Sequence, residues 1–203
     1  MRPFTSLEGV AAPLIEDDIN TDQVAPIGAG PRVNPDYAAM LFMRQRADPE
    51  FFLNKPRFSK PSILVTGANF GCGSSREAAV WCMQAVGIRC IVARSFADIY
   101  RENCLQNGVL PVVFGPVDAE AFEALAVATN GAANFTVDLA AQTISGPGGE
   151  VFRFDIPPAD RTRLLEGLDD IGLTLKHDSD IAAFETRMKV ARPWSQRSDA
   201  NVL

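Results

Sequence analysis

Between residues 62 and 114 the chain alternates between short β-branched runs and helix-length segments, and this constrains the fold more than any other feature. Residues 62–67 read as an apolar strand, preceded by a Pro-rich loop at 56–61. Residues 76–86, "REAAVWCMQAV", have helix length and are apolar nearly all round, which predicts a buried helix ended by Gly87. A second strand is expected at 88–94 and a second helix at 95–108, with Ser95 as candidate N-cap and a terminal glycine. A third strand follows at 109–114. Strands separated by helices cannot pair as hairpins, so the pattern predicts parallel pairing through right-handed crossovers.

The flanks read differently. Residues 134–156, around "GPGG", predict antiparallel strands and turns. Residues 158–191 are expected to be mainly helical, with Gly167 and Gly172 as breaks. Residues 27–60 are rich in Pro, Phe and Arg and form the longest segment without clear periodicity, apart from a short helix near 36–47. At 203 residues the chain suits a single domain, 1–203, that mixes β and α/β layers and carries a mainly helical extension from 158 to 203.

Composition removes several classes of function. The 19 basic residues against 25 acidic ones do not supply the cationic face that a phosphate backbone requires, so no nucleic-acid partner is expected. No stretch approaches the roughly 18–20 apolar residues that span a bilayer, so no membrane partner is expected either. The first twenty residues lack a secretory apolar core. The four cysteines, Cys72, Cys82, Cys90 and Cys104, form no CxxC pair. A structural zinc site or a cluster held by this chain alone is therefore not expected, and the thiols read as reduced in a cytoplasmic protein.

The stretch "GANFGCGSSREAAVW" (67–81) joins the first strand to the first helix. A Gly-rich turn into a helix presents free backbone N–H groups at the positive end of the helix dipole, and so suits an anion. No Lys follows the last glycine as in a Walker A loop, and the glycines at 67, 71 and 73 do not match GxGxxG. A carboxylate fits better than a nucleotide, with Arg76 as a bidentate partner. The local pattern equally fits a capping box, Ser74 as N-cap and Glu77 at N3, and the two readings can coexist. A Ser-His-Asp triad is not supported, because the single histidine, His177, lies over a hundred residues away and reads as a polar residue near a helix start. Asn103 and Asn107 share a helix face and read as a cap and a solvated side chain.

The loop, followed by "SFADIYRENCLQNGVLP" (95–111), resembles the small subunits of the 3-isopropylmalate dehydratase family within the aconitase superfamily. "DDINTDQVAP" (17–26) and "GLDDIGLTLKHDSDIAAFE" (167–185) are similar to the same family, in the same order. The resemblance implies a swivelling β/β/α domain of the aconitase C-terminal type, an α/β fold with a mixed sheet and a parallel βαβ core. It implies a separate large subunit that holds the [4Fe–4S] cluster, and a small dicarboxylate substrate. Residue by residue, Ser74 matches the base that removes a proton from the substrate carbon. Ser75 and Arg76 match substrate-carboxylate contacts, with Gly73 and Asn69 of the same loop as further contacts. Asp22 and Thr21, in the "NTDQVAP" turn, are candidates for support behind the site or for a plain Asx turn.

Two departures bear on the substrate. The family reads Ser-Arg-Glu-His where this chain has Ala78, which removes two hydrogen-bonding nitrogens. Residues 27–60, the family's substrate-sorting loop, only faintly echo its usual wording. Arg32, Tyr37, Met40, Leu41, Phe42 and Arg44 are the candidate contacts there, with packing of a short helix as the alternative. The leading expectation is dehydration of isopropylmalate in leucine synthesis. The alternatives are a paralogue serving citraconate, 2-methylmalate or dimethylmalate, and a non-catalytic anion-binding module.

Overall fold

The chain enters on a strand that local pattern did not single out, β1 (Ser6–Leu14), and both halves of the sheet are built on it. The computed structural model describes residues 1–26, 28 and 33–195. After β1 come two single helical turns, α1 (Thr21–Val24) and α2 (Tyr37–Met40), and three 3-10 turns between residues 45 and 58. The alternating core follows: β2 (Ile63–Thr66), α3 (Glu77–Ala85), β3 (Cys90–Ala93), α4 (Asp98–Asn107), β4 (Leu110–Val113) and α5 (Pro116–Thr129). The strands β5 (Asn134–Asp138), β6 (Thr143–Ser145) and β7 (Val151–Arg153) precede three helices, α6 (Pro158–Glu166), α7 (Asp170–Leu175) and α8 (Asp178–Ala191).

The seven strands form one sheet in the order β4-β3-β2-β1-β5-β6-β7. The C-terminal half of β1 runs parallel to β2, from Ala11 opposite Ile63 to Leu14 opposite Thr66. Its N-terminal half is antiparallel to β5, from Ser6 opposite Asp138 to Val10 opposite Asn134. A parallel βαβ sheet and an antiparallel meander thus share one strand. Gly9 sits at the changeover, and a Cβ there would overlap the side chain of Ser62.

Strand alternation sends β2 and β3 side chains to two separate cores. Ile63, Val65, Cys90 and Val92 join one face, where α5 and the inward residues of β5–β7 cover them. Phe122 of α5 is the centre of that face, with ring centroids 5.3 Å from Phe114, 5.4 Å from Phe135 and 5.1 Å from Phe152. Leu64, Ile91 and Ala93 point to the other face, under Val80, Cys82 and Met83 of α3 and Tyr100 and Cys104 of α4. Leu41 and Phe42 are wholly buried in this second core, and Tyr37 packs edge-on against Trp81 at 5.3 Å.

Several helix ends differ from the local reading. The capping box at 74–77 does not form. Arg76 itself is the N-cap of α3, in an extended conformation and without a side-chain cap, so Glu77 is the first helical residue. Likewise Ala97 rather than Ser95 caps α4, and the Ser95 hydroxyl instead accepts from the Asn69 N–H at 2.8 Å. A true capping box stands at α1, where Asn20 and Gln23 bond each other's backbone N–H groups. Gly167 ends α6 with φ 69° as expected. Gly172 lies inside α7 and donates its N–H to the N-cap Asp169 at 2.7 Å, so it is not a break.

The described chain packs as two compact units, the first Met1–Gly167 and the second starting at Leu168. The first contains the whole sheet together with α6, whose Leu164 is buried in the first core. The second contains α7 and α8, and His177 is the exposed N-cap residue of α8. Among the described residues no helix is long and apolar enough to cross a membrane.

Candidate active site

The loop between β2 and α3 is held on both sides before it reaches the serines. On one side Asn20 bridges to Cys72, with the Gly71 N–H donating to Ile19 and the Thr21 N–H to Cys72. On the other, Phe70 bridges to Phe96, exchanging backbone bonds with Ser95 and Ala97. Gly71, at φ 79°, lies against the buried Tyr100 ring, and a Cβ there would overlap it. Gly73, at φ 88°, takes a left-handed turn that glycine adopts without strain and that leads the chain into the two serines.

The turn opens a cleft of about 250 Å³ at the C-terminal ends of the parallel strands, where open α/β sheets bind ligands. Gly73, Ser74, Ser75 and Arg76 form one wall, with Thr21 beside them, and the N-terminal half of α4 forms the other. Ser74 and Ser75 are exposed. The backbone N–H groups of Ser74, Ser75 and Arg76 meet no acceptor among the described residues.

Two long-range bonds set this wall. The Thr21 hydroxyl, itself buried, donates to the backbone carbonyl of Ser74 at 2.7 Å. The Arg76 guanidinium forms an ion pair with Asp22 and also donates to the Ala25 carbonyl at 3.3 Å. The hydrogen bond that Arg76 donates to Asp22, with the charges of Arg76 and Arg44, holds the Asp22 carboxyl below its usual range, outweighing the opposing effect of burial. Asp22 and Thr21 therefore stand directly behind the loop. Asn69, at φ 55°, is pinned by donating to Asp18 at 2.7 Å and does not line the cleft.

Most of the candidates from 27–60 lie elsewhere. Leu41 and Phe42 are core residues, and Tyr37 and Met40 pack at the edge of the same core. None of these four, nor Arg44, lines the cleft. Arg32 lies outside the described residues. Ala78 is the second residue of α3 and also stands outside the lining. Two expectations for α4 change as well. Asn107 is not solvated: its carboxamide accepts from Trp81 Nε1 at 3.0 Å and donates to Glu77 at 3.0 Å and to the Asn103 carbonyl at 2.9 Å. Asn103 caps nothing and faces the cleft, as do Ile99 and Tyr100. The signal was present in the i, i+4 spacing of Ile99 and Asn103, which puts both on one helix face.

Similar proteins extend over nearly all of this chain. The small subunit of 3-isopropylmalate dehydratase from Methylobacterium radiotolerans is 45% identical over 203 residues, covering 96% of this chain and 100% of the relative. That from Leptospira interrogans is 41% identical, covering 96% and 98% respectively. The chain belongs to the 3-isopropylmalate dehydratase small-subunit family.

Family models agree with that membership. The Aconitase C-terminal domain matches residues 29–116 and LeuD_N matches 121–158. The C-terminal domain of the 3-isopropylmalate dehydratase small subunit matches 170–198. The crystal structure of 3-isopropylmalate dehydratase from Methanocaldococcus jannaschii shares the fold. Its TM-score is 0.61 at 24% identity, over 89% of this chain and 99% of that one. The sheet of this small-subunit family member is thus the mixed sheet with a parallel βαβ core that the motifs imply. Its own donor set does not fit a metal cluster: three of the four thiols are buried, and no three His, Cys, Asp or Glu side chains converge among the described residues.

Proposed function

We propose that this chain is the small subunit of a heteromeric hydro-lyase that dehydrates isopropylmalate in leucine biosynthesis, with Ser74 as the base. The carrying observation is the cleft itself, which gathers Ser74, Ser75 and Arg76 on a wall fixed by Thr21 and Asp22. The small-subunit name of its relatives favours assembly with a large subunit. That partner would bring the [4Fe–4S] cluster, which when bound supplies Lewis acidity toward the leaving hydroxyl.

This chain's share of the chemistry is proton removal and carboxylate binding. The C–H bond beside a substrate carboxylate breaks and its proton passes to Ser74 Oγ. The electron pair left behind forms the double bond as hydroxide leaves the neighbouring carbon. A serine hydroxyl is a weak base, so the site must favour its alkoxide. Free N–H groups at 74–76 and the positive end of α3 act in that direction. Ser75 and the remaining guanidinium donors of Arg76 hold the carboxylate, and the Asp22 pair fixes the plane of that guanidinium in advance.

The test is anaerobic co-expression with the large subunit encoded in the same source, followed by turnover of 3-isopropylmalate beside 2-methylmalate. Ser74→Ala is expected to lower isopropylmalate turnover by about two to four orders of magnitude while the complex still co-purifies. Near-normal turnover by that variant would remove Ser74 from the reaction. Turnover of 2-methylmalate alone would move the chain to another pathway.

A further inference from the structure

We propose that Asn103 is a substrate-positioning residue, its carboxamide donating across the cleft to a carboxylate oxygen of the dicarboxylate held by Ser75 and Arg76. This rests on the function proposed above and adds a contact that the serine loop alone does not provide.

The polar groups around the cleft divide into those already engaged and those that are not. Thr21 is committed to the Ser74 carbonyl, and Asn69 to Asp18. On α4, Asn107 spends its carboxamide on Trp81, Glu77 and the backbone of Asn103, which fastens α4 to α3 and fixes where Asn103 sits. The Asn103 carboxamide itself makes no hydrogen bond among the described residues. It is half-buried in the wall facing Ser74 and Ser75. A half-buried amide left without a protein partner is a cost unless something else meets it. Here the empty side is the space where the substrate would lie.

The chemistry of the donor suits the ligand. A dicarboxylate presents more acceptor oxygens than one guanidinium and one hydroxyl can satisfy, and a neutral amide adds a donor without adding charge. The one acid in the lining, Asp98, is exposed in the first turn of α4. Ile99, one turn before Asn103 and exposed, gives the same wall an apolar edge suited to an alkyl group. Because α4 is held by Asn107 rather than by Asn103, the contact can be removed without releasing the helix.

The experiment uses the assembled complex with its large subunit. Asn103→Ala is expected to raise KM for 3-isopropylmalate by about 10- to 100-fold, the value of a hydrogen bond to a charged group, with kcat within about fivefold. Asn103→Asp keeps the shape but replaces the donor with a negative charge, and should raise KM further. Both variants should co-purify with the large subunit and melt with the wild type, which separates positioning from folding. An unchanged KM in the isosteric Asp variant, or a loss confined to kcat, would overturn the role of Asn103. A wild-type complex inert on isopropylmalate would instead overturn the function proposed above, and this contact with it.

Discussion

The buried Thr21 hydroxyl donates to the backbone carbonyl of Ser74 at 2.7 Å, joining a turn near the N-terminus to the proposed base 53 residues later. Thr21→Val keeps the shape and removes that donor. It is expected to cost about 0.5–1.5 kcal/mol in a denaturant melt. Because a displacement near 1 Å misaligns a reacting atom, kcat/KM of the complex should fall by about 10- to 100-fold. A variant with normal kcat/KM would show that the serine loop holds its geometry without this tie.

The Asp22–Arg76 pair sets a pH dependence. The Asp22 carboxyl lies below its ordinary value of 3.8, chiefly through its hydrogen bond to Arg76. A depressed carboxyl contributes its stabilisation above that ordinary value and loses it only as pH falls through the lowered one. The pair is therefore intact at neutral pH, and KM should carry no inflection from it between pH 5 and 8. Asp22→Asn should raise KM about tenfold as the guanidinium loses its fixed plane. An unchanged KM in that variant would mean that Arg76 is oriented by other contacts.

Thiol accessibility reports the packing of both cores, Cys90 in the first and Cys82 and Cys104 in the second. Cys72 is partly exposed at the loop, while Cys82, Cys90 and Cys104 are buried. Burial pushes the Cys82 thiol up to about 11, and pushes Cys90 and Cys104 up as well. Iodoacetamide at pH 8 should add one group to the native chain, at Cys72, and four after urea, as read by intact mass. Raised thiols give stability that is fully present below the unfolded value and is lost as pH rises toward the folded one. The denaturation midpoint should accordingly fall from about pH 9 upward. More than one adduct on the native protein would contradict the burial of the other three.

Phe122 is the keystone of the first core, between Phe114, Phe135 and Phe152. Phe122→Ala should cost about 3–5 kcal/mol in a urea melt, since the cavity lies between a helix and a sheet that cannot both collapse into it. A loss below about 1 kcal/mol would mean that α5 repacks freely.

What the sequence determined by itself was the part whose signal is local. β2, α3, β3, α4 and β4 follow from alternating periodicity, and the glycines at 87, 108 and 167 mark where the chain turns left-handed. The meander of β5–β7 follows from its alternation and turn residues. The serine loop was legible as a motif because its composition is unusual.

Tertiary structure decided what depends on distant partners. β1, "SLEGVAAPL", contains Gly, Ala and Pro, poor strand formers. It becomes a strand because β5 pairs with its first half and β2 with its second. The Ser74–Glu77 capping box failed for the same kind of reason. Asp22 draws Arg76, and Asn107 donates to Glu77, so the helix begins one residue after Arg76. Leu41 and Phe42, apolar in a segment without period, were pulled into the core rather than left lining a pocket. Asn103 looked like a cap until Asn107 proved to be the brace. A local rule sees only neighbours within a turn, whereas each of these outcomes was set by a contact more than twenty residues away, whose energy exceeds a cap or a propensity.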